Sequence, residues 1–264
     1  MEAKDRLIVG LDVDTLYRAE FFVRLLKDEV GGFKIGNELA LAMLKSVINP
    51  ATDEMAIYNA LSIRRIFSNF KSGSYYQKVF WDIKLHDISN TVGASSLQVA
   101  DLGAAIFSIH ASAGKEAIEA AVKNRKSSRV FGVTVLTSIS DECVSIFGDS
   151  ADEKVLQFAK MILDAGADGI ICSPLEVKMI RERPEFKRLK IATPGIRPEW
   201  YEKNDQKRVM TPKEAILAGA DLLILSRPIL NPLKEIGNPT DAARKIVEEI
   251  SESLEEIKKG QVPA

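Results

Sequence analysis

LAGADLLILS, residues 217–226, carries two signals in ten positions: a Gly closing a helical stretch, then a short apolar run. Gly fits the left-handed residue that ends a helix, so the decapeptide reads as a helix-to-strand turn. The same arrangement recurs in ADLGAAIFSI, 100–109, and DAGADGIICS, 164–173. Gly103, Gly166 and Gly219 are unevenly spaced, which argues for one supersecondary unit used repeatedly and against a fixed-period solenoid.

Outward from these three turns, further apolar runs take their places. RLIVGLDV (6–13), GGFKIGN (31–37), VFWDIK (79–84), RVFGVTVLT (129–137) and LKIATPG (189–195) join AAIFSIH, DGIICS and DLLILS to give eight strands. Helical segments separate them. Leu16, Ala19, Phe22, Leu26 and Val30 recur at helical spacing after the first strand, and Ala243, Ile246, Val247, Ile250, Leu254 and Ile257 form the stripe of a closing helix. Eight alternating strand–helix units predict a parallel sheet, and this length suits a closed (β/α)8 TIM barrel of the α/β class. The chain is expected to be one domain over 1–264. An extra helical insertion is expected around 49–77, where PATDEM, ALSIRRIFSNF and KSGS exceed one simple connection.

Composition narrows the function classes. The 264 residues are 46% hydrophobic and 28% charged, as in an ordinary globular chain, and 36 basic residues balance 37 acidic ones to a net charge of −1. That balance gives no overall pull toward nucleic acid or an anionic membrane. No apolar run approaches the roughly 18 residues of a membrane span, MEAKDRLIVG does not read as a signal peptide, and a cytoplasmic protein is the expectation. Cys143 and Cys172 form no CxxC pair and are expected to be buried thiols. With His86 and His110 as the sole histidines, a metal site built on imidazoles has little support, and no metal is expected.

In a barrel of this kind, reactive groups come from the carboxyl ends of the strands and the loops after them. Polar residues collect there: Asp12, Lys34, Asp82, Lys84, His110, Thr137, Ser138, Ser173, Gly195, Arg197, Ser226 and Arg227. In FWDIKLHDISN, 80–90, Asp82 and Lys84 lie two apart and share a strand face, while Trp81 and Ile83 take the other. Burying a carboxylate with an ammonium is costly unless the two pair or do chemical work. Asp87 is placed so that Lys84 could lie between two carboxylates, with Lys34 as a second cation; such an array suits a proton donor. Across the rim, TPGIRP and LSRPI offer Gly195, loop amides and Arg227, an arrangement suited to a phosphate. The long, polar, Pro-bounded loop 197–212 reads as a lid.

Taken together, LDV (11–13), FKIG (33–36), DIKLHDISNTV (82–92), VTVLTS (133–138), TPGIRP (193–198), DQKRVMTP (205–212) and SRPI (226–229) resemble the orotidine 5′-phosphate decarboxylases of the bacterial-type branch over nearly the whole chain. The resemblance implies decarboxylation of orotidine 5′-phosphate to UMP in pyrimidine biosynthesis, without cofactor or metal. It implies catalytic roles for Lys34, Asp82, Lys84 and Asp87, with Asp87, Ile88 and Thr91 reaching into the neighbouring site of a homodimer. Asp12 and Lys34 would meet the ribose, and Thr137 or Ser138 the pyrimidine. Gln206 would bridge base and phosphate, Arg227 with the backbone at Gly195 and Ser226 would hold the phosphate, and Pro194 and Arg197 would be further substrate-binding residues. Two positions depart from the family pattern: Ser89 stands where a Pro is usual and Ser226 where a Gly is usual. A strained Ser226 is expected if its φ is positive. The nearest alternative is a magnesium-dependent decarboxylase or aldolase of the same barrel group acting on sugar phosphates; a non-catalytic nucleotide-binding barrel is the other.

Overall fold

The computed structural model describes residues 1–68, 78–136, 150–201 and 209–260. Eight parallel strands close in sequence order into a barrel: β1 (Leu7–Gly10), β2 (Gly32–Gly36), β3 (Lys78–Leu85), β4 (Ile106–His110), β5 (Arg129–Val133), β6 (Gly169–Ile171), β7 (Lys190–Thr193) and β8 (Leu222–Leu225), with β8 pairing back onto β1. Helices α1 (Leu16–Leu26), α2 (Asn37–Ile48), α3 (Asp53–Ser68), α4 (Ser89–Asp101), α5 (Lys115–Asn124), α6 (Ala151–Asp164), α7 (Val177–Arg181), α8 (Pro212–Leu217), α9 (Arg227–Leu230) and α10 (Pro239–Lys258) lie between and after the strands. Both α2 and α3 fall between β2 and β3; the ALSIRR pattern belongs to α3, and α2 ends before residue 49.

The three repeated turns behave alike. Gly103, Gly166 and Gly219 have φ of 85°, 80° and 105°. In each, the residue after the Gly donates its N–H five residues back, as Ala104 to Val99, Ala167 to Ile162 and Ala220 to Ala215, which closes the helix and turns the chain toward the next strand. After two of these turns an Asp has its own task. Asp168 accepts from the Val130 N–H and Asp221 from the Ile191 N–H, both at 2.9 Å, so each carboxylate fastens the amino end of the neighbouring strand. These contacts lie at the end of the barrel opposite the polar rim, the end that serves stability.

Burial follows the strand alternation. Ile8, Phe80, Ile106, Phe131, Val133, Ile171, Ala192, Leu222 and Ile224 fill the barrel interior, while a larger apolar layer packs between sheet and helices. At the carboxyl ends the regular strands stop sooner than the apolar runs suggest. β1 ends at Gly10, two residues before Asp12, and β5 at Val133, four before Thr137. The ladder continues by single bonds, Leu11 N–H to the Lys34 carbonyl and Thr134 N–H to the Ile171 carbonyl, before the chain turns outward. Asp12 therefore stands in the loop just beyond its strand, while Lys34, Asp82 and Lys84 remain on β2 and β3.

Candidate active site

Strands β1, β2 and β3 bring four charges into a row of alternating sign at the barrel mouth. Lys34 Nζ lies 3.4 Å from Asp12 Oδ1 and 3.4 Å from Asp82 Oδ2, and Lys84 Nζ lies 2.8 Å from that same Asp82 oxygen. Asp82 and Lys34 are the buried members, with side chains 8% and 13% exposed; Lys84 is a third exposed and Asp12 half exposed. Burial disfavours the charged form of both inner groups, and the neighbours overcome it. The Asp82 carboxyl is pushed up by desolvation, yet Lys34, Lys84 and the hydrogen bonds from Lys84 and Ser108 hold it below the usual carboxylate range. Desolvation likewise opposes the Lys34 ammonium, while Asp82 and Asp12 raise its pKa above the ordinary value.

The row requires an irregular backbone. Lys84 has φ 52°, the left-handed region that a β-capable non-Gly residue adopts at a cost of about 1–3 kcal/mol. The β3–β4 register shifts between Trp81 and Leu85, so the strand bulges where it carries Asp82 and Lys84. His86 and His110 stand just above, their rings 5.5 Å apart. Burial, then His86 and Lys84, lower the His110 pKa against the opposing pull of Asp82, favouring the neutral imidazole.

The far wall of the same cleft contains Pro194, Gly195, Arg197, Ser226 and Arg227, with Val133, Val135, Ile171, Cys172 and Ile224 lining its apolar side. Gly195 has φ 79°, a conformation that turns the backbone sharply at the end of β7. Its carbonyl accepts from Met210 N–H, and Arg197 N–H donates to the Met210 carbonyl at 2.9 Å, which joins the two ends of the 197–212 loop. The buried Arg197 donates from Nη1 to the Ile196 carbonyl at 2.8 Å. Ser226 has φ −128°, so the strain expected from a positive φ does not arise.

Of the residues singled out in the sequence, Asp12, Lys34, Asp82, Lys84, Pro194, Gly195, Arg197, Ser226 and Arg227 share this cleft. Asp87 does not join the row within one chain. It is exposed, and its carboxylate accepts from the Ile88 N–H at 2.7 Å. Ile88, 71% exposed, precedes α4, and the exposed Thr91 is in its first turn. Thr137, Ser138 and Gln206 lie outside the described residues, as does Cys143. Ser89 occupies the first position of α4, after Ile88 with φ −60° and ψ 153°. That is the helix position, and the preceding conformation, that a Pro favours, so a Ser here keeps the local path without the ring's rigidity.

Ser108, on β4, was not among the residues drawn from the sequence. It donates to Asp82 Oδ1 at 2.8 Å and is completely buried. Its signal was the period-two alternation of β4, which puts Ile106, Ser108 and His110 on the interior face.

The sequence profile of the orotidine 5′-phosphate decarboxylase / HUMPS family matches residues 5–246. A relative from Syntrophomonas wolfei, named orotidine 5′-phosphate decarboxylase, is 36% identical over 96% of this chain and 100% of its own. One of the same name from Heliobacterium modesticaldum is 37% identical over 96% and 99%. Among solved structures, the orotidine 5′-phosphate decarboxylase of Lactobacillus acidophilus superposes with a TM-score of 0.65 at 29% identity, covering 92% of this chain and 98% of that one. The chain belongs to the orotidine 5′-phosphate decarboxylase / HUMPS family.

Proposed function

We propose that this chain is a carboxy-lyase that converts orotidine 5′-phosphate to UMP and CO2 in pyrimidine biosynthesis. The observation that carries this reading is the alternating row Asp12–Lys34–Asp82–Lys84 facing Gly195, Ser226 and Arg227 across one cleft. The far wall suits the phosphate: loop amides and the Arg227 fork donate to its oxygens. Asp12 and Lys34 suit the ribose, and the base then lies toward Asp82 and Lys84.

The chemistry is heterolysis of the bond between C6 and its carboxylate. CO2 departs, the electron pair stays on C6, and Lys84 Nζ, held 2.8 Å from Asp82, supplies the proton that makes UMP. Ammonium charge fixed in advance beside C6 stabilises an anion that exists only along the reaction path, which is the kind of interaction that raises turnover. Asp82 fixes that ammonium by pairing with it. Phosphate contacts distant from C6 supply binding energy that is used at the reacting centre, with Gln206 as a contact to base and phosphate and Thr137 or Ser138 at the pyrimidine.

We infer that the active unit is a homodimer. Support comes from the exposed Asp87, Ile88 and Thr91, which do not line their own cleft, while the resemblance places them in a neighbour's. A cytoplasmic location is part of the same proposal; among the described residues no helix is long and apolar enough to cross a membrane.

The test of the proton donor is Lys84→Ala. Turnover is expected to vanish while UMP still binds, and unchanged turnover would remove Lys84 from its role. The shared site is tested by mixing Lys84→Ala with Asp87→Ala protein. Each alone is expected to be inactive, and the mixture to recover activity as hybrid dimers form with one intact site; no recovery would refute the sharing.

A further inference from the structure

Trp81 of β3 pairs with Phe107 and Leu85 with Ile109, so three β3 residues, Asp82, Ile83 and Lys84, stand opposite Ser108 alone. The bulge turns both reactive side chains to the cleft and leaves the Lys84 N–H in a left-handed residue, out of regular register. That N–H donates to Ser108 Oγ at 2.9 Å. The same hydroxyl donates to Asp82 Oδ1 at 2.8 Å. Its direction is forced, because an amide can only donate and an ionised carboxylate can only accept. With Oδ1 engaged, Asp82 presents Oδ2 to both ammoniums.

We propose that Ser108 is a positioning residue for the reaction, one buried hydroxyl that fixes the backbone of Lys84 and the carboxylate plane of Asp82 at once. The proposal rests on the decarboxylase reading above. A Ser within the inner wall of a barrel is otherwise a poor choice, since Ile106 and Phe131 around it fill the same interior with hydrocarbon. Without the hydroxyl the bulge has nothing to hold the Lys84 N–H, and Asp82 can rotate. The ammonium then loses its fixed position relative to C6, and small misplacements of reacting groups are expensive in rate.

The test compares Ser108→Ala and Ser108→Thr with the unaltered protein, each corrected for folded fraction. In Ser108→Ala, kcat is expected to fall about 10- to 100-fold with KM changed by less than about threefold. The acid limb of kcat should move to higher pH, because Asp82 has lost a donor that favours its charged form. Amide exchange at Lys84 should accelerate. Ser108→Thr, which keeps the hydroxyl, should restore all three. Unaltered kcat and acid limb in a folded Ser108→Ala, or unaltered exchange at Lys84, would overturn the proposal. If the unaltered protein fails to decarboxylate orotidine 5′-phosphate, the functional reading falls separately, and exchange at Lys84 still decides whether the hydroxyl holds that backbone.

Discussion

Asp82→Asn isolates what one charge does in the row, because the amide keeps the shape and removes the anion. Asp82 Oδ2 faces Lys84 at 2.8 Å and Lys34 at 3.4 Å. At an effective dielectric of about 20, the contacts are gross attractions of about 6 and about 5 kcal/mol, most of which is offset by the cost of desolvating the charges. Removing one partner of a buried pair leaves that cost without its compensation, typically about 3–5 kcal/mol. Two features place this case lower. Asp12 still faces Lys34, and the third of Lys84 that is exposed lets water screen it. We expect a loss of about 2–3 kcal/mol in unfolding free energy, read as a shift in urea midpoint at unchanged slope. Turnover should fall by at least about 10³-fold, since the two ammoniums now repel and Lys84 is no longer fixed. A variant as stable as the parent, or more stable, would show that the four charges do not act as a paired row.

Arg227→Ala is expected to raise KM for the phosphorylated substrate by about 10- to 100-fold, the loss of a charged hydrogen bond, with kcat affected less; an effect confined to kcat would contradict the phosphate assignment. Ser89→Pro should stabilise the protein by about 0.4–1 kcal/mol in thermal unfolding, because Ile88 already has the extended conformation that a following Pro imposes and the first helical N–H needs no partner in the helix. A destabilised Ser89→Pro would mean that this N–H is used elsewhere. Stability should also depend on pH at both extremes. Asp82 is depressed below its ordinary 3.8, so its contribution is full above that value and is lost as pH falls through the lower, folded value. Lys34 is raised above its ordinary 10.5, so its contribution is full below that value and is lost as pH rises through the higher, folded one. Asp82→Asn should flatten the acid limb of a stability–pH curve, and an unaltered limb would assign the effect to other carboxylates.

The barrel was legible because its signals are local. A Gly that ends a helix before an apolar run states the turn and the strand in one decapeptide, and three copies state the repetition. The rim charges were legible for a related reason, since Asp82 and Lys84 share a face whatever the exact strand end. What escaped was the kind of information that arises only across strands. Ser108 is an ordinary residue on its own strand, and it gains a role only because β3 bulges there and turns the Lys84 N–H onto its hydroxyl. Nothing in the β3 sequence announces that bulge, since Lys84 is not a residue that usually marks a positive φ. Ser226 is the reverse case: the residue type suggested strain, and the backbone at φ −128° accommodates it. Asp87 shows the same limit: spacing along one sequence makes it look like a member of the row, whereas in the structure it is exposed and its carboxylate accepts from the Ile88 N–H.

The most direct measurement is incubation of the purified protein with orotidine 5′-phosphate in the presence of a metal chelator, following the loss of pyrimidine absorbance together with the CO2 and UMP formed. Stoichiometric UMP and CO2 are expected, at a rate that added magnesium does not change. No turnover of orotidine 5′-phosphate, or magnesium-dependent turnover of a sugar phosphate in its place, would contradict the proposed function.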